Sequence, residues 1–159
     1  MRKSRLEITD RDILDEILSK QVLCRLAMAD EGKAYIIPVN YGYRDNCMYI
    51  HSAPEGKKID LIRNNPKICF EVEDGVEITP GDTACQWSTR YRSVVGYGRA
   101  EVLEGKADKQ EGLEIIMRQH GAPEMIHFDE KNMKALVILR IRIESMSGKK
   151  SSNWDENKV

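Results

Sequence analysis

Two hydrophobic spacings alternate along this chain. Ile13, Leu14, Ile17 and Leu18 recur at helical intervals, and Thr9 stands three residues before Asp12 as a capping-box-like start, so a helix is expected from about Asp10 to Lys20. Strand periodicity then takes over. Val22 to Ala29 and Ala34 to Tyr43 flank Asp30-Glu31-Gly32-Lys33, which reads as a hairpin. Arg44-Asp45-Asn46 leads into a third strand, Cys47 to Ser52, and a Pro/Gly turn then enters a short helix that opens on Lys57 and Lys58. Pro66 restarts a strand, Lys67 to Glu73, with Ile68, Phe70 and Val72 on one face. A turn-rich loop from Asp74 to about Thr89 precedes a long strand, Tyr91 to Leu103. Leu113, Ile116, Met117 and His120 mark a second amphipathic helix. In the last element, Ala135 to Ser145, Val137, Leu139, Ile141 and Ile143 alternate with Arg140, Arg142 and Glu144.

Six strands joined mostly by hairpins, with helices at the periphery, predict an antiparallel barrel of the α+β class. One domain is expected over residues 1–148, followed by a polar tail over 149–159 whose one large apolar side chain is Trp154. At 159 residues the chain can bury a substantial core. A net charge of −1 gives no electrostatic footprint for nucleic acid or acidic lipid. No long apolar run suggests a membrane span or a signal peptide, so the expectation is a soluble cytoplasmic protein. Cys24, Cys47, Cys69 and Cys85 lack CxxC spacing, and no HExxH occurs; buried thiols rather than metal ligands or disulfides are expected.

The segment from Ile50 to Leu61 carries the clearest chemistry. A strand runs through His51, Ser52 and Ala53 into Pro54-Glu55-Gly56 and then into a helix. Helix N-termini present unpaired N–H groups and a partial positive charge, and Lys57, Lys58 and the Ser52 hydroxyl add to them, which suits a phosphate. The alternative is an ordinary strand–turn–helix with solvated lysines. Pro38 marks an edge or bulged position, and beside it Asn40 and the tyrosines could face a planar ligand, or simply form a surface edge strand. Arg90, Arg92 and Ser93 suit a second anion contact as well as plain solvation. His51 shares a strand face with Cys47 and Tyr49 and is the one group there that exchanges a proton near neutral pH; a structural histidine is the simpler reading.

Taken together, Val39-Asn40-Tyr41-Gly42-Tyr43, the run from His51 to Leu61, Cys69-Phe70-Glu71-Val72 and the run from Tyr91 to Ala100 resemble the pyridoxamine 5′-phosphate oxidase-related flavoproteins. Within them, the similarity is to the nitroimidazole-resistance branch, and it extends from about Ile8 to Lys149. The resemblance implies a six-stranded antiparallel split β-barrel that forms a homodimer and binds FMN, or FAD, in two clefts between subunits. By the same resemblance, Val39, Asn40 and Tyr41 would line the isoalloxazine, with His51, Ser52 and Ala53 passing beside it. Lys57 and Lys58 would hold the phosphate, and Arg92 and Ser93 would close the site from a neighbouring strand or the other subunit. The implied activity is an FMN-dependent oxidoreductase in which NAD(P)H drives reduction of a small aromatic acceptor such as a nitroimidazole. His51 is then a candidate proton donor and Trp154 a candidate substrate gate. A non-catalytic flavin-binding or sensing protein of the same fold is the alternative. The oxidases proper carry an Arg-Lys pair where this chain has Lys57-Lys58, and their C-terminal arginine/histidine pattern is missing, so oxidation of pyridoxamine phosphate is not expected.

Overall fold

The structure, a computed structural model, describes residues 4–123 and 127–154. A 3-10 turn, Ser4–Leu6, leads into β1 (Glu7–Ile8) and α1 (Arg11–Lys20). The α1 N-cap is Asp10, whose carboxylate accepts the Asp12 N–H at 3.0 Å, one residue after the Thr9 expected. There follow β2 (Leu23–Asp30), β3 (Lys33–Asn40), β4 (Gly42–Arg44), β5 (Cys47–Ser52) and α2 (Lys57–Asn64). The second half contains β6 (Lys67–Thr79), β7 (Ser88–Leu103), α3 (Lys106–Gln119), α4 (Glu130–Lys134) and β8 (Val137–Lys150).

The strands form one antiparallel sheet in the order β3-β2-β6-β7-β8-β5-β4, with β1 added to β8 outside that path. This is the α+β antiparallel architecture expected, with eight strands rather than six because the short β1 and β4 were not foreseen. The sheet curls but does not close, since β3 and β4 remain its two edges although only Tyr41 separates them in sequence. Tyr41 is where the predicted strand from Ala34 to Tyr43 breaks. Its side chain is fully buried, its hydroxyl donates to the Leu18 carbonyl at 2.7 Å, and its N–H donates to the Val22 carbonyl at 3.1 Å.

The concave face buries Leu26, Phe70, Val72, Leu139 and Ile141 beneath Ile17 and Leu18 of α1 and Ile59 and Ile62 of α2. On the convex side α3 covers a second cluster, in which Ile115 and Ile116 meet Tyr49, Leu103 and Ile138.

The segment expected as a loop from Asp74 to Thr89 is paired at both ends, and only residues 80–87 lie outside the two strands. After a register shift between Asp74 and Glu77, the ladder resumes with Glu77 opposite Arg90 and Thr79 opposite Ser88. Gly75-Val76, two residues facing Tyr91 alone, therefore form a bulge inside a long hairpin, and Asp74 beside them is not a strand end. Likewise β8 runs to Lys150, past both its expected end at Ser145 and the boundary placed at residue 148. The chain stays beside β7 for one more residue, where the Ser151 N–H donates to the Tyr91 carbonyl at 2.9 Å, and then turns, the Trp154 N–H donating to the Ser151 carbonyl at 3.2 Å. Trp154 thereby lands on Gly75, where an added Cβ would meet the indole at 2.7 Å.

At this end of the sheet lies the one arginine that the core encloses among the described residues. Arg92 is 5% exposed. Its Nε donates to Asp74 at 2.8 Å, its terminal nitrogen reaches Glu16 of α1 at 3.2 Å, and its guanidinium stacks 4.6 Å from the Trp154 ring. Asp74 also accepts from the Gln21 amide at 2.8 Å. Removing one member of such a pair strands the other charge. Asp74→Ala should therefore cost about 3–5 kcal/mol in urea unfolding, and the double replacement Arg92→Met/Asp74→Leu much less. Equal losses in the two would show that packing rather than charge holds this end together.

Candidate functional site

The turn into α2 is built to leave backbone donors uncovered. Gly56, at φ +112°, is the N-cap and provides no side-chain cap. Its carbonyl accepts from the Ile59 N–H at 2.8 Å and the Asp60 N–H at 3.1 Å, so the amides of the first helical residues, Lys57 and Lys58, lie ahead of the helical ladder. The two lysines have separate tasks. Lys57 is exposed, pairs with Asp30 at 2.7 Å and sits 4.9 Å from the Tyr35 ring, pinning the β2–β3 hairpin to the helix. Lys58 is half-buried, burial lowers its pKa below the usual lysine value, and among the described residues it has no carboxylate partner.

His51 is exposed one residue before the end of β5, opposite Ile138, with the buried Ser52 closing the strand and Ala53 exposed after it. Burial, then the nearby positive charge of Lys58, then His120 hold the His51 imidazole below its ordinary pKa. His120, which caps the α3 C-terminus, is close enough for its charge to act on His51, and its Nδ1 lies 2.6 Å from the Ile116 carbonyl. A desolvated ammonium, an uncapped helix start and two imidazoles converge here with no counter-charge on Lys58. An oxyanion is what this arrangement lacks.

The second component is the free edge of β3, which approaches β5 without forming a ladder. Tyr41 bonds through its N–H to Val22, so alternation turns the N–H groups of Ile36 and Asn40 away from β2, and Pro38 falls where no donor is needed. Val39 is half-buried against the core and Asn40 is exposed. Tyr41 does not share this role: its ring faces the core and its N–H is already used. Tyr43 is likewise occupied, bonded through its hydroxyl to Asp15 and Arg11 of α1.

Arg92 and Ser93 are not brought to this place within one chain. Arg92 lies opposite Lys150 and His51 opposite Ile138, twelve residues apart along β8, or about 40 Å of strand. Trp154 is at the Arg92 end too, stacked 4.0 Å from Arg90, and does not stand over the α2 turn. The Cys24 thiol is pushed up to about 12 by burial and that of Cys69 is raised by burial as well, which suits packing rather than nucleophilic chemistry. Among the described residues, no helix is long and apolar enough to cross a membrane, and no three His, Cys, Asp or Glu side chains converge on a metal-sized site.

A family model described as pyridoxamine 5′-phosphate oxidase matches residues 10–150. The chain belongs to the pyridoxamine 5′-phosphate oxidase family. Among solved members of this architecture, it is similar to a candidate 5-nitroimidazole antibiotic resistance protein of Bacteroides thetaiotaomicron. That match has 27% identity, a TM-score of 0.80, and covers 91% of this chain and 86% of the other. An FAD-binding protein of Mesorhizobium loti aligns at 26% identity with a TM-score of 0.68, over 92% of this chain and 97% of the other. An FAD and heme binding protein of Mycobacterium smegmatis shares the fold, with a TM-score of 0.82 at 21% identity over 94% and 75% of the two chains. An uncharacterized protein of Rhizobium meliloti (strain 1021) is 28% identical over 98 residues; the match takes in 62% of this chain and spans 58% of that relative's length.

Burial and the Lys58 charge set the direction in which His51 titrates. Because folding lowers the His51 pKa below 6.5, the unfolded chain takes up the proton first, and stability falls as pH drops through about 6.5. An NMR titration should place the His51 midpoint below 6.5, and Lys58→Ala should move it upward. A midpoint at or above the ordinary histidine value would remove Lys58 from the neighbourhood of the ring.

Proposed function

We propose that this protein is a homodimeric, FMN-dependent oxidoreductase in which a reduced nicotinamide drives reduction of a small aromatic acceptor such as a nitroimidazole. The observation that carries the reading is Lys58: a half-buried cation without a carboxylate, at an uncapped helix start beside Ser52 and His51. A terminal phosphate supplies the missing charge and accepts the first-turn N–H groups. FAD-binding and nitroimidazole-resistance relatives at 26% and 27% identity support a flavin here, and FAD remains the alternative cofactor.

The residues divide the work by what each can still offer. Lys58 and the α2 start hold the phosphate, and Lys57 keeps the hairpin against them through Asp30. The free N–H of Asn40 on the β3 edge is placed to donate to the polar rim of a flat ring system lying between β3 and β5. Bound flavin would supply the electron transfer between nicotinamide and acceptor. His51, whose pKa is lowered by burial and then by the Lys58 charge, gains proton affinity when an anion offsets that charge, and can then pass a proton from its ring to an acceptor. Ser93 and the arginine end of the sheet come to this cleft from the second copy, because one chain holds them at the far end of β8.

The visible spectrum and extracted cofactor mass of the purified protein, followed by NADPH oxidation with a nitroimidazole, test the reading. A flavin that neither nicotinamide reduces would leave the flavin-binding or sensing alternative. Lys58→Ala removes a charge-assisted contact worth about 1.5–3 kcal/mol and should weaken FMN about tenfold to a hundredfold, with riboflavin unaffected. Light scattering should give about twice 18.2 kDa. A monomer that still holds FMN would sink the shared cleft.

A further inference from the structure

The convex face of the sheet carries a cationic row that the α2 cleft does not use. Lys67, Arg99 and Arg142 lie on three adjacent strands, and the register sets Lys67 opposite Arg99 and Arg99 opposite Arg142. All three are exposed, and among the described residues none has a carboxylate partner. The neighbouring Arg140, by contrast, pairs with Glu101 at 2.7 Å. Like charges directly opposite across antiparallel strands are destabilising, so the row costs stability as it stands.

Three further features shape it into a site. A recess of about 500 Å³ is lined by Arg99 and Arg142 together with Pro66, Glu101, Arg140 and Glu144. A bulge borders the recess: Tyr97 opposes Ser145 but Gly98 opposes Ile143, which makes Glu144 the extra residue. The chains approach closely there, for a Cβ on Gly98 would stand 2.4 Å from the Arg142 carbonyl oxygen. Finally Tyr97, on the same strand face as Arg99 and two residues away, is 58% exposed and presents an aromatic surface about 7 Å along the strand.

We propose that this row is a nucleotide site, in which Arg99 and Arg142, flanked by Lys67, hold a diphosphate and Tyr97 stacks on the base. The three cations span about 10 Å across the strands, more than a single phosphate can bridge and suited to two linked ones. Glu101 and Glu144 at the recess keep the positive field short, which favours a compact diphosphate over a nucleic-acid strand. His51 lies four residues, or about 13 Å, along β5 from Cys47, which pairs with Arg142, so this site is separate from the α2 cleft.

Calorimetric titration of inorganic pyrophosphate, ADP and adenosine into wild type, Arg99→Gln, Arg142→Gln, Tyr97→Ala and Lys58→Ala tests the proposal. Each arginine variant should lower pyrophosphate affinity about tenfold. Tyr97→Ala should weaken ADP about tenfold and leave pyrophosphate unchanged. All titrations are run at saturating FMN, which occupies the α2 start, and there Lys58→Ala should bind pyrophosphate as wild type does. A parallel NADPH titration separates a free nucleoside diphosphate, bound as well as NADPH, from half of a dinucleotide, bound more weakly than NADPH; both support the site. Pyrophosphate binding that survives both arginine changes, or that disappears with Lys58 alone, overturns it. So does adenosine binding as tightly as ADP. Without ligand, Arg99→Gln should not lower Tm or change the mass by light scattering; a drop in either would make the row a structural or copy-to-copy contact instead.

Discussion

An arginine in the interior must find its counter-charge before anything else can be settled, and Arg92 organises one end of this molecule around that need. Asp74 supplies a carboxylate from the β6 bulge, Glu16 a second from α1, Gln21 steadies Asp74, and Trp154 covers the guanidinium face. Helix, hairpin and C-terminal segment are thereby fastened to one side chain. Losing one partner would cost more than replacing the whole set by apolar groups, because it leaves a buried charge uncompensated. The same engagement explains why Arg92 does not present itself to a ligand within its own chain.

The opposite end of the sheet shows the reverse condition. Lys58 is half-buried at an uncapped helix start, with His51 nearby and, among the described residues, no carboxylate to answer it. Proteins tolerate such an imbalance where a ligand completes the charge. Two adjacent lysines with nearly identical sequence surroundings thus differ in kind: Lys57 is a strut fixed by Asp30, and Lys58 is the vacant cation.

Geometry between the ends connects these observations to assembly. A long antiparallel strand places its two termini tens of ångströms apart, so β8 cannot bring Ser93 to the residues around His51. The open β3 edge adds a second incompletely satisfied feature on the same side as α2. A copy of the chain docked so that its arginine end meets this cleft would answer both, which is the physical content of the dimer proposed above.

Local patterning determined much of this protein from sequence. The α1 face, the hairpin at Asp30 to Lys33 and the alternation through Ile143 each depend on neighbours within a few residues, and each formed as read. The α2 turn was legible for the same reason, since Gly56, Lys57 and Lys58 act through a helix start that lies beside them. What sequence did not reveal depends on partners far along the chain. The loop expected from Asp74 became a paired arm because β7 was there to receive it, and Tyr41 turned inward because Leu18 and Val22 offered acceptors. Trp154, plausible over a ligand when read in isolation, found two arginines instead. Sequence spacing sets which groups a segment can present; only the folded sheet decides which are already answered, because that depends on desolvation and on charges that meet across 18 residues for Arg92 and Asp74 and 76 for Arg92 and Glu16.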